Sequence, residues 1–252
     1  MIGVDITGGD TEVNDCVINE TSDWGVKFTS SGNPIILNCT INNTGDGGNN
    51  EGGIKISSNG NVVGCNLFNS TSTGIYVGGG QPLIMNTNVH NTTGNGIRMH
   101  VGSTPTITNC SISNTWGENV YATGNTRSIV IDNCTIGNWT NPGAGDTMDI
   151  NTDATHIINL TLLNCSFKND TFNVGSYGNL SINYFVKTTV VNSNDDGISG
   201  ATIKMINRTA QERFTLNTDA QGTAWAQAIH FIYNGSYWYD RLLTGLQVFR
   251  VS

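Results

Sequence analysis

Five basic side chains occur in the first 183 residues, and three of them, Lys27, Lys55 and Arg98, stand at the middle of one recurring three-residue phrase. The phrases are Val26-Lys27-Phe28, Ile54-Lys55-Ile56 and Ile97-Arg98-Met99; further copies carry Asp5, Tyr76, Tyr121, Asp149 and Asn173 in the middle. A polar residue flanked by apolar ones in an extended segment points away from the buried face. Random placement of five cations would put only about 0.2 of them at these eight positions, so the pattern is not chance alternation. Tyr76 and Tyr121 share the column, and Trp24, Trp116 and Trp139 precede three of its members. Aromatic faces beside Lys and Arg suit sugar rings bearing carboxylate or sulfate groups. Lys27, Lys55, Tyr76, Arg98, Tyr121, Trp116 and Trp139 are therefore the candidate ligand-binding set. The plainer alternatives are a solvated stripe and tryptophans that cover turns.

A second group is acidic: Asp146, Asp149 and Asp153. Carboxylates roughly 5 to 9 Å apart can hydrolyse a glycosidic bond, and the same three can hold Ca²⁺. Asp146, Asp149 and Arg98 are thus the catalytic candidates, and Asp146, Asp149 and Asp153 the Ca²⁺ candidates; no other cofactor is expected. His90, His100, His156 and His230 have no partners at metal-ligand spacing, which excludes a copper centre.

The elements that must carry these residues repeat. An apolar residue, a Cys three positions on, an apolar residue at the fifth position and an Asn at the seventh recur in seven copies. The third-position residues are Cys16, Cys39, Cys65, Thr87, Cys110, Cys134 and Cys165, and the seventh are Glu20, Asn43, Asn69, Asn91, Asn114, Asn138 and Asn169. Each copy is followed by the apolar–polar–apolar phrase, so the spacing predicts two short strands per repeat joined by Gly and Asn turns. Strands of one repeat pair in parallel with those of the next, at a spacing of ~4.8 Å. Like then stacks on like. Cysteines and isoleucines fill the core, and the seventh-position Asn residues form a ladder in left-handed turns.

The phrases Asn38-Cys39-Thr40-Ile41-Asn42-Asn43 and Gly74-Ile75-Tyr76-Val77 resemble the right-handed parallel β-helix repeats of pectate-lyase-like and NosD-type proteins. The resemblance covers residues 1 to 183 and implies the fold rather than one activity, since this scaffold carries lyases, hydrolases, adhesins and surface-layer proteins alike. Asn151-Thr152-Asp153 resembles part of the polygalacturonase Asn-Thr-Asp-Gly motif, but Ala154 replaces the Gly and the family's other motifs have no counterpart.

From Tyr184 the pattern changes to longer alternating strands separated by Asn194-Asp195-Asp196-Gly197 and Asp219-Ala220-Gln221-Gly222. Asp-Gly-x-x-Gly-Ala-Thr-Ile followed by Thr-Asp-Ala-x-Gly resembles carboxypeptidase-regulatory-like and bacterial Ig-like modules. The expected architecture is all-β: a right-handed parallel β-helix over 1–183, then a small, incomplete antiparallel β-sandwich over 184–252. Because Val4-Asp5-Ile6 reads as the second half of a coil and Val248 to Ser252 as part of a strand, the chain is expected to be a piece of a longer protein. Its exposed helix end would then meet neighbouring domains or other subunits.

Composition limits the partners. With 11 basic and 19 acidic residues the formal net charge is −8, which argues against nucleic acid or an anionic membrane. No apolar run is long enough to span a bilayer. The six cysteines all fall in one column with Thr87, as small core residues do, although neighbours in the column stand within reach of a disulfide. Asn-x-Ser/Thr sequons are frequent, many generated by the repeat itself. The functional expectation is a segment of an extracellular or cell-envelope protein that binds or displays an acidic glycan or surface polymer along the Lys27 to Tyr121 stripe. The alternatives are a polysaccharide lyase or glycoside hydrolase, and a purely structural surface-layer or stalk segment.

Overall fold

A computed structural model describes residues 1–29, 31–48, 51–124, 127–137, 150–153, 156, 158–166, 172–176, 178–206, 212–234 and 237–240. The repeats are the successive turns of a parallel β-solenoid of about seven turns. Three faces run along it. The first stacks the strands Val4–Ile6, Trp24–Phe28, Gly52–Ile56, Thr73–Val77, Ile97–Met99, Val120–Ala122, Ile150–Thr152 and Phe172–Asn173. The second stacks Glu12–Asn14, Ile35–Leu37, Asn61–Val63, Leu83–Met85, Thr106–Thr108, Arg127–Asp132, Ile158–Leu163 and Asn179–Thr189, and the third runs from Val17–Thr21 to Thr135–Gly137.

Three strands per turn, not two, is the main departure from the sequence-based expectation. The stretch from opener to seventh position is two strands with a bend between them. The bend falls at the residue before the Cys column, where Asp15, Asn38, Asn86, Asn109, Asn133 and Asn164 all have φ between 50° and 53° and Gly64 has φ 65°. Left-handed geometry costs most residues ~1–2 kcal/mol, and Asn tolerates it better than a branched or bulky side chain. The Asn-Cys pairs are therefore corner signals. The seventh-position ladder is left-handed as expected at Glu20, Asn43, Asn69, Asn91 and Asn114; Asn138 and Asn169 lie outside the described residues. Its amides join coil to coil: Asn43 Nδ2 donates to Asn19 Oδ1 at 3.2 Å, and Asn69 Nδ2 to Asn43 Oδ1 at 3.3 Å.

One core runs through the turns, with Ile36, Ile41, Ile54, Ile75, Ile84, Ile97, Ile107 and Ile112 wholly buried. The Cys column is part of it. Cys39, Cys65, Cys110, Cys134 and Cys165 are buried and free, and Cys16 is free and exposed. The interchange with Thr87 has a hydrogen-bond reason. Cys110 N donates to Cys134 Sγ at 3.3 Å, and Cys65 N donates to Thr87 Oγ1 at 3.4 Å. The thiol of Cys110 in turn donates to Thr108 O, as the Thr87 hydroxyl does to Met85 O. Either side chain fills the volume and serves both bonds. Desolvation raises the Cys65 thiol to about 11, and hydrogen bonding to Cys110 with burial raises Cys134 to about 12.

The tail grows out of the second face. Asn179–Thr189 pairs in parallel with Ile158–Leu163 through Asn179 to Asn183, and in antiparallel fashion with Thr223–Asn234 along its whole length. The expected boundary at 183/184 thus falls inside one strand. Thr202–Ile206 and Glu212–Asn217 form a separate antiparallel pair, and Val190, Ala201, Ile203 and Ala224 make a second, small cluster. Both tail turns are present: Asn192 Oδ1 accepts from Asn194 N and Asp196 N, and Asp219 Oδ1 accepts from Gln221 N and Thr223 N.

Candidate functional site

The first face carries the stripe. Its pairing places Asp5 beside Lys27, Lys27 beside Lys55, Lys55 beside Tyr76, Tyr76 beside Arg98, Arg98 beside Tyr121, and Tyr121 beside Asn151, followed by Asn173. In the strands from Trp24–Phe28 to Val120–Ala122 the neighbours on either side, such as Ile75 and Val77 or Ile97 and Met99, are fully buried, so the middle residue is turned outward. Lys27, Lys55, Tyr76, Arg98 and Tyr121 are all half-buried.

Cations and rings alternate. Lys55 Nζ lies 5.9 Å from the Trp24 ring centroid and 5.8 Å from that of Tyr76, while Arg98 Cζ lies 5.9 Å from Tyr76 and 5.7 Å from Tyr121. Such cation–ring contacts are worth ~0.5–2 kcal/mol each. His100 tilts against Tyr76 at 6.1 Å. Tyr76 therefore has a cation on the coil before and another on the coil after. Tyr121 has Arg98 on one side and Asn151 on the other. Arg98 Nε is shut from solvent and has no hydrogen-bond partner among the described residues. A guanidinium partly withdrawn from water attracts an anion more strongly than one in bulk solvent.

Among the described residues the single ion pair is His156 Nδ1 to Asp153 Oδ2 at 3.1 Å. Lys27, Lys55 and Arg98 are therefore without a carboxylate within ion-pair distance among those residues. One carboxylate that the repeat pattern does not mark is bonded to Asn151 of this column. Glu118, in the turn before Val120–Ala122, accepts from Asn95 Nδ2 at 3.0 Å through one carboxylate oxygen and from Asn151 Nδ2 at 2.8 Å through the other. It bridges the coil before and the coil after its own. A polar residue in a turn gives no sign of this in the sequence, because both partners depend on the stacking register.

The tryptophans divide. Trp24 opens its strand and is 3 % exposed, enclosed near Lys55 and Tyr76. It supports the stripe and offers no open face, contrary to its expected place in a turn. Trp116 is 65 % exposed in the turn leading to Tyr121, its amide donating to Thr92 O. Trp139, Asp146 and Asp149 lie outside the described residues, and the place in the column expected for Asp149 is taken by Asn151, which pairs with Tyr121. Asp153 is not aimed at open space: its Oδ2 accepts from Thr123 Oγ1 and Gly124 N and meets His156. Among the described residues no group of three or more His, Cys, Asp and Glu side chains is arranged to hold a metal ion. The loop at 45–51 is organised by Glu51, whose Oε2 accepts from Asp46 N at 2.7 Å and Gly48 N at 3.0 Å; these amides hold its carboxyl below the usual range.

A family model described as "Right handed beta helix region" matches residues 52–219, from the third coil into the tail. No curated protein and no solved structure matches the chain.

Proposed function

The chain belongs to the right-handed β-helix family, and we propose that this member binds or displays an acidic glycan or surface polymer along its first face. The fold is shared by proteins of many chemistries, so the reading rests on the site. The observation that carries it is the coil-by-coil column of Lys27, Lys55 and Arg98, with no carboxylate in ion-pair reach among the described residues. Register puts Lys55 and Arg98 two coils apart, ~10 Å at the spacing of parallel strands. A polymer with a carboxylate or sulfate on successive sugars presents charges at a comparable interval. The groups sit on a hydrogen-bonded sheet and are held by their rings, which lowers the ordering cost of binding.

The same proposal places the chain at an extracellular or cell-envelope surface, with the tail from Tyr184 as an Ig-like or carboxypeptidase-regulatory-like sandwich joining it to neighbouring domains. The two turns built on Asn192 and Asp219 and the small cluster around Ile203 support that module. Calorimetry at low salt with uronic-acid oligosaccharides tests the binding role. A folded Lys55→Ala, Arg98→Ala variant should bind about tenfold more weakly or worse, and Glu118→Gln should bind more tightly. A second reading, a structural stripe, is favoured by the alternation of cations and rings. Unchanged binding in the double variant together with a lower melting temperature would replace the first reading with the second.

A further inference from the structure

We propose that Cys16 and Cys39 are a redox pair in which a peroxide closes a disulfide between the first and second coils while the other four thiols stay reduced. The register sets them opposite each other: Asn14 pairs with Leu37 on one side and Val17 with Thr40 on the other. Coils spaced at ~4.8 Å fall within the roughly 4.4–6.8 Å separation of Cα atoms that a disulfide spans. The Cys16 amide donates to Cys39 Sγ at 3.3 Å.

Access distinguishes this pair from the rest of the column. Cys16 is exposed, and the other five cysteines are buried. Thr87 divides the column into Cys16, Cys39 and Cys65 on one side and Cys110, Cys134 and Cys165 on the other. The second trio has no exposed member through which an oxidant enters. In the first, only Cys39 is the register neighbour of Cys16, so Cys65 is left over. The chemistry is two displacements. Cys16 thiolate attacks one peroxide oxygen, forming an S–O bond as the O–O bond breaks and hydroxide leaves. Cys39 then attacks the Cys16 sulfur; the S–S bond forms, the S–O bond breaks, and the departing oxygen leaves as water with the Cys39 proton. Two thiols and one hydrogen peroxide give one disulfide and two waters. Burial raises the Cys39 thiol above its ordinary value, so the second step quickens as pH rises.

The test uses the full 252-residue chain, reduced, treated with hydrogen peroxide, alkylated and digested with trypsin without reductant. Cleavage after Lys27, Lys55, Arg98 and Arg127 separates Cys16, Cys39, Cys65 and Cys110 into the peptides 1–27, 28–55, 56–98 and 99–127, with Cys134 and Cys165 together in 128–168. The expected product is 1–27 joined to 28–55, with the remaining thiols alkylated. Six alkylated thiols, or a link from 28–55 to 56–98, overturns the proposal. In Cys39→Ser the link should vanish and Cys16 sulfenic acid should accumulate, trapped by dimedone; a Cys39→Ser chain that gives no dimedone adduct at Cys16 overturns it as well.

Discussion

The helix and the tail solve the same problem, burying apolar side chains between β-strands, by opposite means. In the helix every coil repeats its neighbour, so Ile107 lies between Ile84 and Ile131 and each buried residue is packed by its own kind. In the tail the strands pair in antiparallel fashion, and the described core is Val190, Ala201, Ile203 and Ala224 with Ile198 and Leu216 against it. Repetition spreads a core along an axis, whereas the tail concentrates a small one. A fault therefore has different reach in each. Stability in a solenoid is close to a sum over neighbouring turns, and a broken turn exposes both of its neighbours.

The sharpest way to break this comparison is to bury a carboxyl in each region. Ile107→Asp should unfold the coils, since an unpaired polar group in the core costs roughly 2 to 7 kcal/mol even after it is protonated. Ile203→Asp should release the tail alone. Hydrogen exchange by mass spectrometry reads both, and loss of protection throughout the coils in Ile203→Asp would mean that the two regions fold as one.

Alkali should separate the regions next. All six cysteines lie between residues 16 and 165, so the tail has none. Burial and thiol contacts raise Cys65 to about 11 and Cys134 to about 12, against an ordinary 9.0. The native state then holds protons that the unfolded chain has released. This contribution is fully present below pH 9.0 and is lost as pH rises toward 11 and 12. Melting temperature followed from pH 8 upward should fall for the coils and be recovered in part by Cys65→Thr; an equal fall in the tail would assign the effect to something other than thiols.

The smallest effect tests the corners. Asn109 has φ 53° and its side-chain oxygen accepts from Asn133 Nδ2 at 2.7 Å. Asn109→Ala should cost about 1 to 2 kcal/mol through its left-handed backbone, and Asn109→Gly less, measured by denaturant unfolding. A Gly variant weaker than the Ala one would place the stabilisation in the amide ladder rather than in the backbone angle.

Much of the helix was legible because its periodicity is direct: a buried column must repeat a residue type, and the outward column of Lys27, Lys55, Tyr76, Arg98 and Tyr121 follows from alternation. The third face was not. Val13 to Ile18 reads as one extended run until Asp15 is seen to turn, and alternation does not report a backbone angle. Within the site, the members were readable but not their relations. Tyr76 looked like an open platform, yet its coil neighbours occupy both sides, and Trp24 looked like a turn residue, yet it is enclosed near Lys55. The carboxylate of Glu118 meets Asn95 and Asn151 only through stacking. In the tail, short strands with few repeated signals left pairing undetermined, and nothing in the sequence showed that Asn179–Thr189 belongs to both regions.

That shared strand has a mechanical consequence. A pull on the chain at Val190, directed away from the coils, acts along Asn179–Thr189. It meets the parallel pairs from Asn159–Asn179 to Leu163–Asn183 side by side. These bonds are loaded together in shear rather than opened one at a time, and the antiparallel partner Thr223–Asn234 shares the load along the full length. The junction between coil and tail is thus a spliced joint and not a hinge.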